Sequence, residues 1–153
     1  MSQNKQEPGS GRTVRDVMTP NPASVSEKDS IKKVAEIMKR EDAGVVPVVD
    51  GRKVIGMITD RDIVVRLIAD GKDCSNAKVN EVMSKQVRTV KEDTPITEVL
   101  QLMGREQIRR VPVTNSNNDL VGIVSIGDIA SDEKETVKVG RTVEDISEAP
   151  PNN

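Results

Sequence analysis

The stretch "GMITDRDI", Gly56 to Ile63, returns 66 positions later as "GIVSIGDI", Gly122 to Ile129. Each copy runs from a small apolar, strand-like segment into a hydroxyl residue, Thr59 or Ser125, with an acid three places on, Asp62 or Asp128. A hydroxyl followed at that distance by an acid resembles the capping box that opens a helix, and an acid in the first helical turn suits the helix dipole. Taken singly, neither copy asks for more. Both copies, however, keep a glycine three residues before the hydroxyl, Gly56 and Gly122, in mid-strand where glycine weakens a sheet. Such a glycine points to the close approach of a ligand or of another backbone.

The duplication extends outward from this motif. "VMTPNPASV" (Val17 to Val25) stands 65 residues before "VMSKQVRTV" (Val82 to Val90), "SIKKVAEIMKRE" (Ser30 to Glu41) before "PITEVLQLMGRE" (Pro95 to Glu106), and "VPVVD" (Val46 to Asp50) before "VPVTN" (Val111 to Asn115). The offset becomes 66 between Asn115 and Gly122, where a hairpin loop tolerates one extra residue. Ile31, Val34, Ala35 and Met38, and again Ile96, Val99, Leu100 and Met103, line one face of a helix at i, i+3, i+4 and i+7. "VVPVV" and "VIGMIT" read as strands joined by the turn "DGRK", and "VPVT" and "LVGIVS" repeat the pattern around "NSNND". Pro47 and Pro112, unable to donate to a ladder, are expected at strand starts or on an edge. A short extended piece at Ser24–Val25 and at Thr89–Val90 precedes each first helix. A second helix follows each hairpin.

The unit is therefore β-α-β-β-α, twice, an α/β chain with repeats over 13–72 and 73–133. One copy offers too little apolar surface for a good core, so the two are expected to pack together as one module with pseudo-two-fold symmetry. The polar tail 1–12 and the extension 134–153 are expected to be wholly or partly disordered, with Val137 to Ile146 fitting either a strand or a helix. Met18, Met38, Met57, Met83 and Met103 fall on repeat-matched apolar faces and are read as core filling.

Composition narrows the chemistry. The 153 residues include no His, Phe, Tyr or Trp. Without His the chain lacks the usual general base near neutral pH and the commonest transition-metal ligand. No catalytic residue and no metal ligand is assigned. Without aromatics there is no stacking platform for single strands, and 23 basic against 25 acidic residues give no basic footprint, so nucleic acid is not an expected partner. Cys74 is alone and reads as a loop thiol. No apolar run approaches the roughly 20 residues of a membrane span, and the start "MSQNKQEPGSGR" has no signal-peptide core, so the expected address is cytoplasmic.

What the repeated hydroxyl and acid suit is a nucleotide. A carboxylate accepts from two neighbouring hydroxyls at once, as a ribose presents them, and a hydroxyl at a helix start suits a phosphate. Asp62 and Asp128 would take the sugar, Thr59 and Ser125 the phosphate side.

These residues also carry a family resemblance. The openings "VRDVMTP" and "VNEVMS", the strands "VPVVD" and "VPVT", and the closings "GMITDRDI" and "GIVSIGDI" resemble, in order, a tandem pair of CBS domains, or Bateman module, over Thr13 to about Ser131. The chain is similar to small stand-alone bacterial CBS-pair proteins. The resemblance implies a non-catalytic regulatory module binding AMP, ADP, ATP or a related adenosyl ligand in clefts between the repeats, with Mg²⁺ only as a nucleotide counter-ion. It implies that Thr59 and Asp62 meet "IRRVP", where Arg109 or Arg110 reaches phosphate while Ile108 and Val111 flank the base. Ser125 and Asp128 would then meet "DAGVVP", with Gly44 and Val45 and no arginine, leaving a weaker second cleft. Ser24 and Thr89 complete the expected ligand contacts. Arg61 is either a phosphate contact or a surface ion-pair partner of Asp60 or Asp62.

The apolar residues Ile63, Val64, Leu67 and Ile68 suggest a homodimer, with an unidentified protein target for its signal. Two other readings stay open: a ligand-free homodimeric scaffold, and a metal-assisted hydrolase using Asp60, Asp62 and Asp128.

Overall fold

The computed structural model describes residues 12–131 and Ile146, and comprises two compact units. The expected tails and the bulk of the Val137 to Ile146 segment lie outside the described residues. Among the described residues, one unit holds 12–20, 89–117 and 121–131, and the other holds 21–88 and 118–120.

The first unit carries a four-stranded sheet in the order β1-β6-β5-β4: β1 (Thr19–Pro20), β4 (Val90–Lys91), β5 (Arg110–Thr114) and β6 (Leu120–Ser125). Its helices are α3 (Ile96–Glu106) and α4 (Ile126–Ala130). The second unit pairs β2 (Val45–Asp50) with β3 (Lys53–Thr59) and adds α1 (Ile31–Glu41) and α2 (Asp60–Ile63), which runs on as a π-helical turn over Val64–Ile68. Single bridges complete its sheet: Val25 runs parallel to Val48, and Ser84 antiparallel to Met57. Both units thus share one pattern of opening segment, closing strand, proline strand and pre-helix piece.

The opening segments are exchanged. Val14, from the opening of the first repeat, is buried among Ile96, Val99, Leu100 and Met103 of the second. Val79, Val82 and Met83, from the opening of the second repeat, are buried among Val25, Ile31, Val34 and Ile58 of the first. Hydrogen bonds fix both exchanges: Val14 N donates to Thr94 O at 2.8 Å, and Val79 N to Asp29 O at 2.9 Å.

The helices follow the apolar periodicity with one correction. In α3 the predicted face, Ile96, Val99, Leu100 and Met103, is buried. In α1 the buried set is Ile31, Val34 and Ile37, while Ala35 is exposed; the larger Ile37 removes more apolar area from water than an alanine would, so the helix turns to bury it. Both helices end on a left-handed residue, Asp42 and Gln107, that satisfies a last-turn carbonyl. Met83 and Met103 are buried and Met18 and Met38 pack against the cores, in line with core filling; Met57 is half-buried.

Pro47 stands third in β2 rather than at its start. Its carbonyl accepts from Val25 N at 3.0 Å, so the nitrogen that lacks a hydrogen faces the same side, where the chain makes only a single bridge. The ladder to β3 therefore loses nothing.

Candidate functional site

Each hairpin ends in a mouth where the last residue of its second strand meets the first residues of its proline strand. Antiparallel register requires this: Val45 is the pairing partner of Thr59. Beyond that pair, Asp60 N donates to Gly44 O at 3.0 Å. The second repeat reproduces the closure, with Ile126 N donating to Arg109 O at 2.9 Å.

At both mouths the hydroxyl and acid form a complete capping box. Asp62 N donates to Thr59 Oγ1 at 2.9 Å and Thr59 N donates to Asp62 Oδ2 at 3.0 Å. Asp128 N donates to Ser125 Oγ at 3.0 Å, and Ser125 N donates to Asp128 Oδ2 at 2.9 Å. All four residues are half-buried. The cap uses one carboxylate oxygen and one hydroxyl lone pair, and leaves at each mouth a second carboxylate oxygen as acceptor and the hydroxyl hydrogen as donor.

Within each unit, hairpin register brings each motif beside the start of its own proline strand. Thr59 and Asp62 stand with Gly44 and Val45 of their own repeat, and Ser125 and Asp128 with Arg109 and Arg110 of theirs. The sequence reading assigned each hydroxyl and acid to the opposite repeat's segment.

Arg109 and Arg110 are exposed. Val111, expected beside a base, is fully buried among Val99, Met103 and Val124, so its side chain serves the core. Ile108 is half-buried and packs against the same core. Val90 pairs with Val113, which sets the exposed Thr89 level with Pro112; Val25 pairs with Val48, which sets the half-buried Ser24 level with Pro47. Arg61 is exposed, and its backbone N–H donates to Asp60 Oδ1 at 2.8 Å.

Ile126 and Arg66 were not singled out in the sequence, and Asp60 was weighed there only as an ion-pair partner or a hydrolase acid. Asp60 and Ile126 close the mouths, and hairpin register was the signal for them. Arg66 stands behind Asp62, its Nε 3.9 Å from Asp62 Oδ1, while its Nη1 lies 3.3 Å from the carbonyls of Val82 and Met83.

The repeated glycines have a structural partner. A Cβ on Gly56 would fall 2.6 Å from Ser84 O, and one on Gly122 would meet the Met18 side chain and, at 3.0 Å, Thr19 O. Of the two explanations for a mid-strand glycine, the close backbone of the exchanged opening segment is the one observed. No group of three or more His, Cys, Asp or Glu able to hold a metal stands among the described residues, and none of their helices is long and apolar enough to cross a membrane.

Comparison with known proteins agrees with the duplicated architecture. The CBS domain family model matches twice, over residues 14–69 and 79–134. The CBS domain-containing protein YhcV of Bacillus subtilis is 38% identical over 135 residues, 88% of this chain and 95% of its own. Among solved structures, Hypoxic Response Protein I with two coordinated zinc ions superimposes with a TM-score of 0.72 at 36% identity, over 78% of this chain and 98% of its own. The CBS domain pair of protein MJ0100, in complex with 5'-methylthioadenosine and S-adenosyl-L-methionine, superimposes with a TM-score of 0.69 at 31% identity, over 78% of this chain and 97% of its own. The chain belongs to the CBS domain family, as a tandem pair.

Proposed function

We propose that this CBS pair is a non-catalytic regulatory module that binds adenine nucleotides or related adenosyl ligands at its hairpin mouths. The observation that carries the reading is the duplicated cap, which leaves a carboxylate oxygen and a hydroxyl hydrogen at each mouth after its own helix start is satisfied. The spare oxygen of Asp62 or Asp128 accepts from ribose hydroxyls, and the hydroxyl of Thr59 or Ser125 donates to the 5' side of the ligand. Gly44, Val45, Arg109 and Arg110 border the mouths, with Ser24, Thr89, Ile108 and Arg61 as further contacts. The base has no aromatic partner in the chain and is held by aliphatic side chains and backbone groups. The adenosyl ligands of the MJ0100 CBS pair support this chemistry.

The signal would be a shift between two arrangements of the module with different ligand affinity. A homodimer formed through Val64, Val65 and Ile68, which are 52%, 45% and 56% exposed, gives that shift a partner surface. The same stripe favours a second reading, a ligand-free homodimeric scaffold.

Equilibrium dialysis of the full chain against ATP, AMP and adenosine separates the two. With no Trp or Tyr the protein scarcely absorbs near 280 nm, so bound nucleotide dominates its ultraviolet spectrum. Saturable binding of at least one of the three, weakened in the Asp62→Ala plus Asp128→Ala variant, is expected. No binding of any of them to the wild-type chain would leave the scaffold reading.

A further inference from the structure

The two mouths share a cap but not a charge. The second mouth sets the backbone of Arg109 and Arg110, whose side chains are exposed, beside Ser125 and Ile126 at the start of the helix that carries Asp128, so two arginines stand in sequence next to one carboxylate. Neither arginine makes an ion pair with another described residue. The first mouth has Gly44 and Val45 in place of the arginines. In place of Ile126 it has Asp60, whose carboxylate lies over Gly44, Oδ2 falling 3.2 Å from where a Cβ would stand. Asp60 and Asp62 there outnumber Arg61, and Arg66, behind Asp62, already serves the carbonyls of Val82 and Met83.

We infer that the mouths take ligands of different charge: the Ser125–Asp128 mouth takes the phosphate-bearing adenosyl ligand, and the Thr59–Asp62 mouth one whose 5' substituent is neutral or cationic. This rests on the proposal that both mouths bind adenosyl groups, and adds what each selects. A guanidinium is planar and always charged and pairs with two phosphate oxygens at once, so two adjacent arginines favour a di- or triphosphate over a nucleoside. At the first mouth the same phosphates would meet the Asp60 carboxylate, with no arginine in the Gly44 and Val45 positions to offset the repulsion. The discrimination needs no difference in sugar recognition. It also reverses the order that the sequence suggested, since the stronger phosphate site falls on Ser125 and Asp128.

The test is equilibrium dialysis of the full chain with ATP and, separately, adenosine, at low and high salt. The variants are Arg109→Ala plus Arg110→Ala, Asp60→Asn and Asp62→Ala, each checked for native circular dichroism. The double arginine variant is expected to lose about tenfold or more in ATP affinity, as charge-assisted contacts imply, and to bind adenosine within about twofold of wild type. Wild-type ATP affinity should fall with salt, while adenosine affinity should not. Asp62→Ala should reduce adenosine binding more than ATP binding, and Asp60→Asn should raise ATP stoichiometry toward two per chain. ATP affinity unchanged in the double arginine variant, with adenosine and ATP both still binding, would overturn the division by charge and leave the adenosyl-binding reading standing. Absence of binding by either ligand to the wild-type chain would overturn both.

Discussion

A methyl group added to Gly56 would sit 2.6 Å from the carbonyl oxygen of Ser84, closer than a Cβ stands to an atom outside its own residue and chain neighbours. That carbonyl is not free to retreat: it accepts from Met57 N at 2.9 Å while Ser84 N donates to Met57 O at 2.8 Å. The equivalent glycine, Gly122, meets chiefly the side chain of Met18, which can change rotamer. Gly56→Ala should therefore destabilise by about 1–3 kcal/mol, as overpacking does, and Gly122→Ala by less. Thermal unfolding checks the order, at about 2–4 °C per kcal/mol for a chain of this size. Equal shifts would mean that the exchanged opening segments adjust alike in both units.

Asp62 caps its helix with one oxygen, and substitutions can separate that cap from the proposed ribose contact of the other. Oδ2 accepts from Thr59 N, the cap. Oδ1, 3.9 Å from Arg66 Nε, is the one that the proposed function offers to a ribose. Asp62→Asn keeps an acceptor for the cap and gives up the charge, so stability should hold within about 0.5 kcal/mol while adenosine affinity falls about tenfold. Asp62→Ala removes both and should also cost about 1 kcal/mol of stability. Denaturant unfolding run beside dialysis decides it. If the asparagine variant binds like wild type, Asp62 caps a helix and does nothing else.

Asp29 makes acid stability measurable. Its carboxylate accepts from Ser26 N at 2.8 Å, and Lys33 Nζ lies 3.2 Å away; the backbone bond is the largest cause that holds its pKa below the usual 3.8, burial opposes it, and the hydrogen bond and charge of Lys33 and the charge of Lys78 add to the lowering. A folded-state pKa depressed in this way gives stability that is fully present above the unfolded value and is lost as pH falls through the lower, folded one. Asp29→Asn should reduce stability near neutral pH by about 0.5–1 kcal/mol, a figure discounted for the solvent contact the carboxylate keeps. The difference from wild type should shrink below pH 3.8. A difference independent of pH would assign the effect to packing.

What the sequence disclosed follows from how local each signal is. The α3 face and the caps at Thr59 and Ser125 depend on residues at most seven apart, and both were readable. Gly56 was readable only as a place where something comes close, because its partner Ser84 is brought there by tertiary pairing. The exchange of Val14 and Val79 between repeats lay beyond a repeat pattern, which shows that two segments are alike but not which one each packs against. The placement of Arg109 and Arg110 is a different case. Hairpin register alone puts them beside Ser125, a neighbour that the turn between the two strands already implies.

The π-helical turn after α2 bears on assembly. Ala69 N donates to Val64 O at 2.8 Å, five residues back, so the turn is wider than an α-helix, and Lys72 N closes its end on Leu67 O at 3.0 Å past the left-handed Gly71. Leu67 is thereby fully buried and Ile63 packs on the core, while Val64, Val65 and Ile68 are left outward. Of the four residues expected at a dimer contact, Leu67 and Ile63 serve the core instead; Val65 joins the outward set. A charge at Ile68 changes no buried contact within the unit, so Ile68→Asp should leave thermal stability of the chain within about 0.5 kcal/mol once dissociation is allowed for. It should shift the mass in sedimentation equilibrium from twice 16.7 kDa to the single-chain value, because a carboxylate cannot be desolvated unpaired in an apolar contact. Leu67→Asp should instead unfold the unit, and serves as the control for buried against outward positions. Wild-type protein sedimenting as a single chain at micromolar concentration would exclude this stripe as the homodimer contact.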